Sequence, residues 1–329
     1  MKKVLFLIAM LMAATINYAH DIEIPLNDGW TYRPISDANW NVKHVPVTLP
    51  HTWNAKYTKK TEYNRETMVY ERELEVTPLM ENKRLFLFFE GVNSVADVFV
   101  NRKTVGQHKG GYTAFCFEIT DYVKPGKNNL QVWASNAFRT DVLPISGDFN
   151  VYGGMHRPCR LIVTEKDCIS PLFYASPGVL VHQDKVDAQQ AELTIETHLS
   201  RKSGTKGLRL KTIIADAMGK IVAETETDAD NDIVKQNVIV HKPTLWNGRE
   251  NPYLYTVTTT LLNGEKKIDS QTVQTGLRYF HVDANQGFFL NGKHYYLHGV
   301  NRHEDMDGKG SALNAEDHER DINLICEMG

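Results

Sequence analysis

The sequence has no block of five or more lysines and arginines, and its 37 basic residues nearly balance its 40 acidic ones. Neither a nucleic acid nor an anionic membrane surface therefore finds an electrostatic footprint, and a neutral ligand is easier to accommodate. Long apolar runs are also missing. The stretch Val4 to Ala14 is too short to span a bilayer. Lys2 and Lys3 precede it and a polar stretch ending at Ala19 follows, so residues 1–19 read as a secretory signal peptide and the chain is expected to be exported, periplasmic or secreted. Cleavage is expected within a few positions of Ala19, because Asn17 stands where a small residue is preferred.

Cysteine is scarce: Cys116, Cys159, Cys168 and Cys326 include no CxxC pair, which argues against a structural zinc site or a dithiol redox centre. An oxidising compartment leaves a Cys159–Cys168 bridge open. The domains are large enough to fold without staples, so buried free thiols are the default. Helical periodicity is absent from Trp30 to about Glu165. That region holds short β-rich runs, "RLFLFFEGV", "VADVFVN", "TAFCFEIT" and "NLQVWASN", with turns at "NRK" and "KPGKNN". Regular short strands of this kind predict an antiparallel β-sandwich. A second β segment contains "AELTIETHL", "LRLKTIIAD" and "YLYTVTTTLL", turning at "AMGK" and "NGEK". About 100 residues with seven or so strands suit an immunoglobulin-like sandwich without the antibody cysteine pair.

After Gly276 the pattern changes. "GFFLNGKHYYLHGV" predicts a small hairpin and then an apolar strand, and "NAEDHERDINLICEMG" predicts a helix capped by Asn314 with Asp317 three residues on. Ile322, Ile325 and Cys326 share one face of it. Strand, loop and helix are the start of an α/β unit.

Five separated stretches, in order, carry a family likeness: "LPHTWNA" (49–55), "FEGVNSVADVFVNRKTVG" (89–106), "GGMHRPCRLIV" (153–163), "LWNGRENPYLYTV" (245–257) and "GFFLNGKHYYLHGVNRHED" (287–305). With these the chain resembles the amino-terminal part of glycoside hydrolase family 2, bacterial β-galactosidases in particular. The resemblance covers nearly everything after the signal peptide. It implies a mainly β chain with a jelly-roll sugar-binding β-sandwich (20–168), an immunoglobulin-like β-sandwich (169–277) and the first β-α unit of a truncated (β/α)8 barrel (278–329). A complete barrel needs about 250 residues, so most of it is missing here.

Retaining glycoside hydrolysis needs two carboxyl groups about 5 to 5.5 Å apart. In the family both are glutamates on later barrel strands. No acid/base and no nucleophile is therefore assigned here, and the 329 residues alone are expected not to hydrolyse glycosides. Glu304 and Asp305 are poor replacements, since neighbours on one loop do not flank a sugar ring. Asp307 and Lys309 read as a loop ion pair of small energetic worth.

The resemblance implies substrate-binding roles elsewhere. "HYYLHGV" is expected to be the first barrel strand, which places Asn301, Arg302, His303 and Glu304 at its C-terminal end, the face where barrel enzymes build their sites. His303 matches a family histidine lining the galactose site, where an imidazole can donate to a sugar hydroxyl or to charge developing on it. Arg302 is expected to brace the loop against a carboxylate, with Asn301 and Glu304 supporting. A plainly solvated histidine is the alternative, and the spacing of His298, His303 and Glu304 lacks the HExxH arrangement of a metal site. In "SGDFNVYGGMHR", Asp148 resembles a family aspartate that contacts sugar hydroxyls and, in some members, sodium. Its competing role is a turn beside Gly147. Asn150 is expected to assist it. Asn64 corresponds by position to a family asparagine at the sugar site, against a plain surface loop. Trp30, Trp53, Trp133 and Trp246 are more often core than sugar platforms in such sandwiches.

The expected substrate is a β-galactoside oligo- or polysaccharide, with glucuronide or mannoside specificity open. No cofactor is certain, although magnesium or sodium accompanies some family members, and a homo-oligomer remains open. The alternative function is a non-catalytic carbohydrate-binding β-sandwich protein. A purely structural module has no specific signal.

Overall fold

The computed structural model describes residues 22–36, 44–55, 64–145, 147 and 149–329. The expected signal peptide and Asp148 lie outside the described residues. The chain divides into two compact units, one of Ile22–Lys166, Pro171–Ser176 and His298–Gly329, the other of Asp167–Ser170 and Pro177–Leu297.

The first unit contains β1 (Ile22–Pro25), β2 (Trp30–Pro34), β3 (Val45–Val47), β4 (Thr67–Val76), β5 (Arg84–Phe89), β6 (Val95–Val100), β7 (Lys103–Lys109), β8 (Phe115–Glu118), β9 (Gly126–Ser135) and β10 (Cys159–Thr164). They form two antiparallel sheets, β1-β10-β5-β8 and β3-β2-β4-β9-β6-β7. Alternation decides which side chains meet between them. In β9, Leu130, Val132 and Ala134 are fully buried in the inter-sheet core with Tyr70 and Leu74 of β4, while Gln131 and Trp133 point the other way. Strand β5 is buried on both faces. Leu85, Leu87 and Phe89 join the core, and guanidinium groups lie over the rings of the opposite face, Arg84 over Phe86 at 4.9 Å and Arg160 over Phe88 at 3.8 Å.

The second unit holds β11 (Asp167–Ile169), β12 (Val179–Val186), β13 (Gln190–Arg201), β14 (Leu208–Ala215), β15 (Ile221–Asp228), β16 (Ile233–His241), β17 (Tyr255–Asn263), β18 (Lys266–Thr275), β19 (Phe280–Asp283), β20 (Gly287–Leu290) and β21 (Lys293–His294). Strand β13 pairs with β11, β12 and β16, and a second sheet runs β15-β14-β17-β18. Leu193, Ile195, Leu210, Ile214, Val257 and Leu261 fill the space between. The three-stranded sheet β19-β20-β21 contains the expected hairpin, turning at Asn291–Gly292.

The one described α-helix, α1 (Ala315–Glu327), begins with the capping box read from the sequence: Asn314 accepts from the Asp317 amide, and the Asp317 carboxylate accepts from the Asn314 amide. The strand expected over "HYYLHGV" departs from expectation. Only Lys293–His294 is strand, paired with β20, and residues 295–303 carry no regular element. A barrel strand takes its ladder from two neighbours, and among the described residues none lies beside this one. Trp30 and Trp53 are buried, and Trp133 and Trp246 are half-buried. None of the four cysteines is joined in a disulfide, and Cys159 and Cys168 are buried while Cys326 is exposed.

Candidate functional site

Two buried amides build the floor of the site in the first unit. Asn54 and Asn136 are wholly buried. The Asn54 Oδ1 accepts from the Gly153 amide (2.8 Å) and from Asn136 Nδ2 (3.2 Å), and its Nδ2 donates to the carbonyl of Asn64 (3.0 Å). Asn136 donates to the carbonyl of Val151 (2.9 Å) and accepts from the amide of Glu66 (2.9 Å). Burial without such partners would be costly, so these asparagines lock the loops around 64–66 and 151–153 together. The "HTWN" run packs alongside, with the Thr52 hydroxyl donating to the carbonyl of Gly153 at 2.6 Å. Glycine is required at 154: φ is +137°, and a Cβ there would lie 2.4 Å from the carbonyl oxygen of His51.

Against this floor lies the loop 301–312. Arg157 donates through Nη1 to the carbonyl of Tyr112 (3.1 Å) and through Nη2 to Glu304 (3.0 Å). The Tyr152 hydroxyl donates to Asp305 (3.1 Å) and accepts from Asn150 Nδ2 (3.1 Å). His303 is exposed, and its ring meets Phe149 edge to face at 6.5 Å between centroids. Beneath, His156 is 2% exposed and its Nε2 contacts the carbonyl of Gly111 at 2.8 Å. The loop closes on itself between Met306 and Gly310, each amide bonding the other's carbonyl, at 3.0 and 2.8 Å. It is also tied to α1: Arg302 pairs with Asp321 through Nε (2.8 Å), and the Lys309 ammonium sits on Asp317 (2.6 Å) rather than on Asp307 as the sequence reading had it. Asp317 competes better because the helix cap already holds its carboxylate in place.

Electrostatics follow burial. Desolvation pushes His156 below the ordinary histidine range, although the Gly111 and Ser311 backbone contacts oppose this. Burial raises Tyr152 and Tyr112, so both phenols stay neutral. The carboxyl of Asp317 is held low, first by the Asn314 amide and then by Lys309.

Of the residues singled out in the sequence, Asn150 bonds the Tyr152 hydroxyl, His303 meets the Phe149 ring and Glu304 pairs with Arg157. Asn301 is exposed on the same loop, and Arg302 turns toward α1. Asn64 takes part through its carbonyl, while its own amide bonds Glu66 at 3.3 Å. Asp148 lies outside the described residues, between Gly147 and Phe149. Sequence reasoning missed Tyr152, Phe149, His156 and Arg157. The signal was the "YGGMHR" run itself, whose tyrosine, histidine and arginine surround two glycines that admit close neighbours. Among the described residues no group of three or more His, Cys, Asp or Glu is placed to hold a metal ion. No described helix is long and apolar enough to cross a membrane.

A jelly-roll sandwich, an immunoglobulin-like sandwich and the loop and helix that open a barrel define a modular, mainly β chain. The sequence matches "Glycosyl hydrolases family 2, sugar binding domain" over residues 32–165, "Glycosyl hydrolases family 2" over 178–278 and "Glycosyl hydrolases family 2, TIM barrel domain" over 281–329. The chain belongs to glycoside hydrolase family 2. A β-glucuronidase of Bacteroides fragilis is 44% identical over 98% of the chain, which spans 47% of that protein. A β-galactosidase of Bacteroides ovatus is 30% identical over 89% of the chain, which spans 35% of it. The structure of Bacteroides uniformis β-glucuronidase 2, covalently bound to cyclophellitol-6-carboxylate aziridine, matches with a TM-score of 0.87 and 32% identity over 94% of this chain and 38% of that one. The chain thus spans about half or less of the length of these relatives.

Proposed function

We propose that these 329 residues are the sugar-binding and barrel-opening part of an exported retaining exo-β-glycosidase whose two catalytic glutamates stand on barrel strands outside them. The observation that carries this reading is the 301–305 loop, seated on the sandwich beside Phe149, Asn150 and Tyr152. In this reading His303 donates to a hydroxyl of the terminal sugar and to charge developing there, without transferring the proton. Asn150 and Asn64 line the sandwich side, and Asp148 is assigned the hydroxyl end and any sodium ion. Asn301, Arg302 and Glu304 support the loop. The covalent adduct of the Bacteroides uniformis relative supports nucleophilic chemistry, since a nucleophile in the site must attack such an aziridine.

For the sugar, the first reading is a terminal β-glucuronide and the second a β-galactoside. The sequence reading alone preferred the galactoside. The higher identity to a protein named β-glucuronidase favours the uronide, and the Bacteroides ovatus likeness keeps the galactoside as runner-up. A uronate carboxylate calls for a cation, and both Arg157 and Arg302 are already engaged by carboxylates. The residue that reads carbon 6 is thus assigned to the barrel.

The test compares p-nitrophenyl β-D-glucuronide with the galactoside, using both the 329-residue chain and the product of the whole reading frame that contains it. The short chain is expected to match a buffer blank. The whole product is expected to favour the glucuronide at least about tenfold in kcat/KM, a ratio corresponding to ~1.4 kcal/mol of transition-state binding. The opposite ratio establishes the galactoside. Enzyme-like turnover by the 329 residues overturns the claim of catalytic incompleteness, and a whole product inert on both overturns the glycosidase assignment.

A further inference from the structure

The contacts around residue 303 do more than bring a histidine near a sandwich. Glu304 and Asp305, which directly follow it, are each held by a different sandwich side chain, Arg157 and Tyr152. Those holders are themselves fixed. The carbonyl of Tyr152 accepts from Asn93 Nδ2 at 2.6 Å, the next amide is held by Asn54, and Arg157 is braced by the carbonyl of Tyr112. The far end of the loop is held too. Gly310, at φ +55°, packs so tightly on the Tyr152 ring that a Cβ would come within 2.8 Å of it. Between the two anchored ends, the Met306–Gly310 closure makes the turn a stiff unit.

We propose that Tyr152 and Arg157 of the β-sandwich are positioning residues that set the orientation of the 301–312 loop, and through it of His303, independently of the barrel to which the loop belongs. The two do unequal work. Arg157 and Glu304 are 32% and 51% exposed, so water screens their attraction and the pair mainly selects which carboxylate docks. The Tyr152–Asp305 bond is partly buried, and its acceptor is a carboxylate, which makes it the stronger of the two. Burial keeps the phenol protonated and able to donate. The role given to His303 rests on the glycosidase reading above; the tether does not.

Amide hydrogen exchange on the 329-residue chain tests the tether, read at Met306, Lys309, Gly310 and Ala312, whose amides are hydrogen-bonded within the loop. Strand β9 serves as the control for the sandwich. Tyr152→Phe is expected to speed loop exchange about tenfold with β9 unchanged, the scale of one lost bond to a charged group. Arg157→Glu is expected to speed it by a smaller factor, and adding Glu304→Arg is expected to restore the wild-type rate. Should Tyr152→Phe also loosen β9, the charge-swapped pair at the exposed rim still decides. Wild-type loop exchange in Tyr152→Phe with an intact β9, or in Arg157→Glu, overturns the proposal, as does failure of the double swap to rescue. In the whole reading-frame product, the loosened loop of Tyr152→Phe is expected to lower kcat more than it changes KM. A loosened loop with unaltered kinetics would remove the sugar role of His303 while leaving the tether standing.

Discussion

At the scale of single residues, the buried amides matter more than the exposed charges. Asn54 satisfies an amide, a second asparagine and a carbonyl on three separate segments. Truncating it strands those groups away from water. Asn54→Ala is therefore expected to lower unfolding free energy by about 2 to 4 kcal/mol, at about 1 to 3 kcal/mol for each buried group left unpaired, as measured by urea denaturation. A change near zero would mean that water replaces the side chain. The sequence marks Asn54 only as part of a motif; its partners at 64, 136 and 153 are as many as 99 residues away. Tyr152 was illegible for a similar reason, since its acceptor Asp305 is 153 positions further on.

At the scale of elements, local chemistry was readable wherever the ladder or the cap is local. Strands β5, β6, β8 and β9 fall on the runs read from the sequence, because alternation and turn residues are short-range signals. The helix start was equally legible. Asn314→Ala is expected to cost about 1 kcal/mol of helix stability, seen as faster exchange of the Asp317 and His318 amides, which bond to the Asn314 side chain and carbonyl. Unaltered exchange at those two amides would show that the Lys309–Asp317 contact holds the first turn by itself. The element that failed to appear was the strand after His294. Its apolar residues Tyr296, Leu297 and Val300 are all exposed, as are Ile322 and Leu324 on α1. Apolarity states a wish for burial, whereas a strand also needs a neighbour's hydrogen bonds.

At the scale of the whole molecule, buried histidines make stability depend on pH. Burial lowers His51 from 6.5 to about 4, and its Nδ1 lies 2.7 Å from the hydroxyl of Tyr70. Burial raises Tyr70 well above the ordinary phenol range, so the phenol and the imidazole are both neutral near pH 7. The folded state binds a proton less readily than the unfolded chain. Stability contributed by His51 is thus complete above about pH 6.5 and is lost as the pH falls towards 4, levelling off below. The displacement corresponds to roughly 3 kcal/mol, and His156 adds in the same direction. Urea midpoints measured from pH 7.5 to 4.5 are expected to fall, and His51→Gln is expected to flatten that slope. An identical slope in the variant would place the acid sensitivity elsewhere.

Periodicity, turn residues and five separated motifs were enough, without coordinates, to establish two β-sandwiches, a capped helix and membership of glycoside hydrolase family 2. These properties depend on neighbours along the chain or on patterns held in order. Tertiary structure alone decided which side chains hold the loop that carries residue 303, which carboxylate Lys309 chooses, and that the loop after the missing strand rests on the first sandwich. Each of those outcomes is a contest between partners far apart in sequence. Burial and geometry settle such contests, and neither is written in the order of the residues.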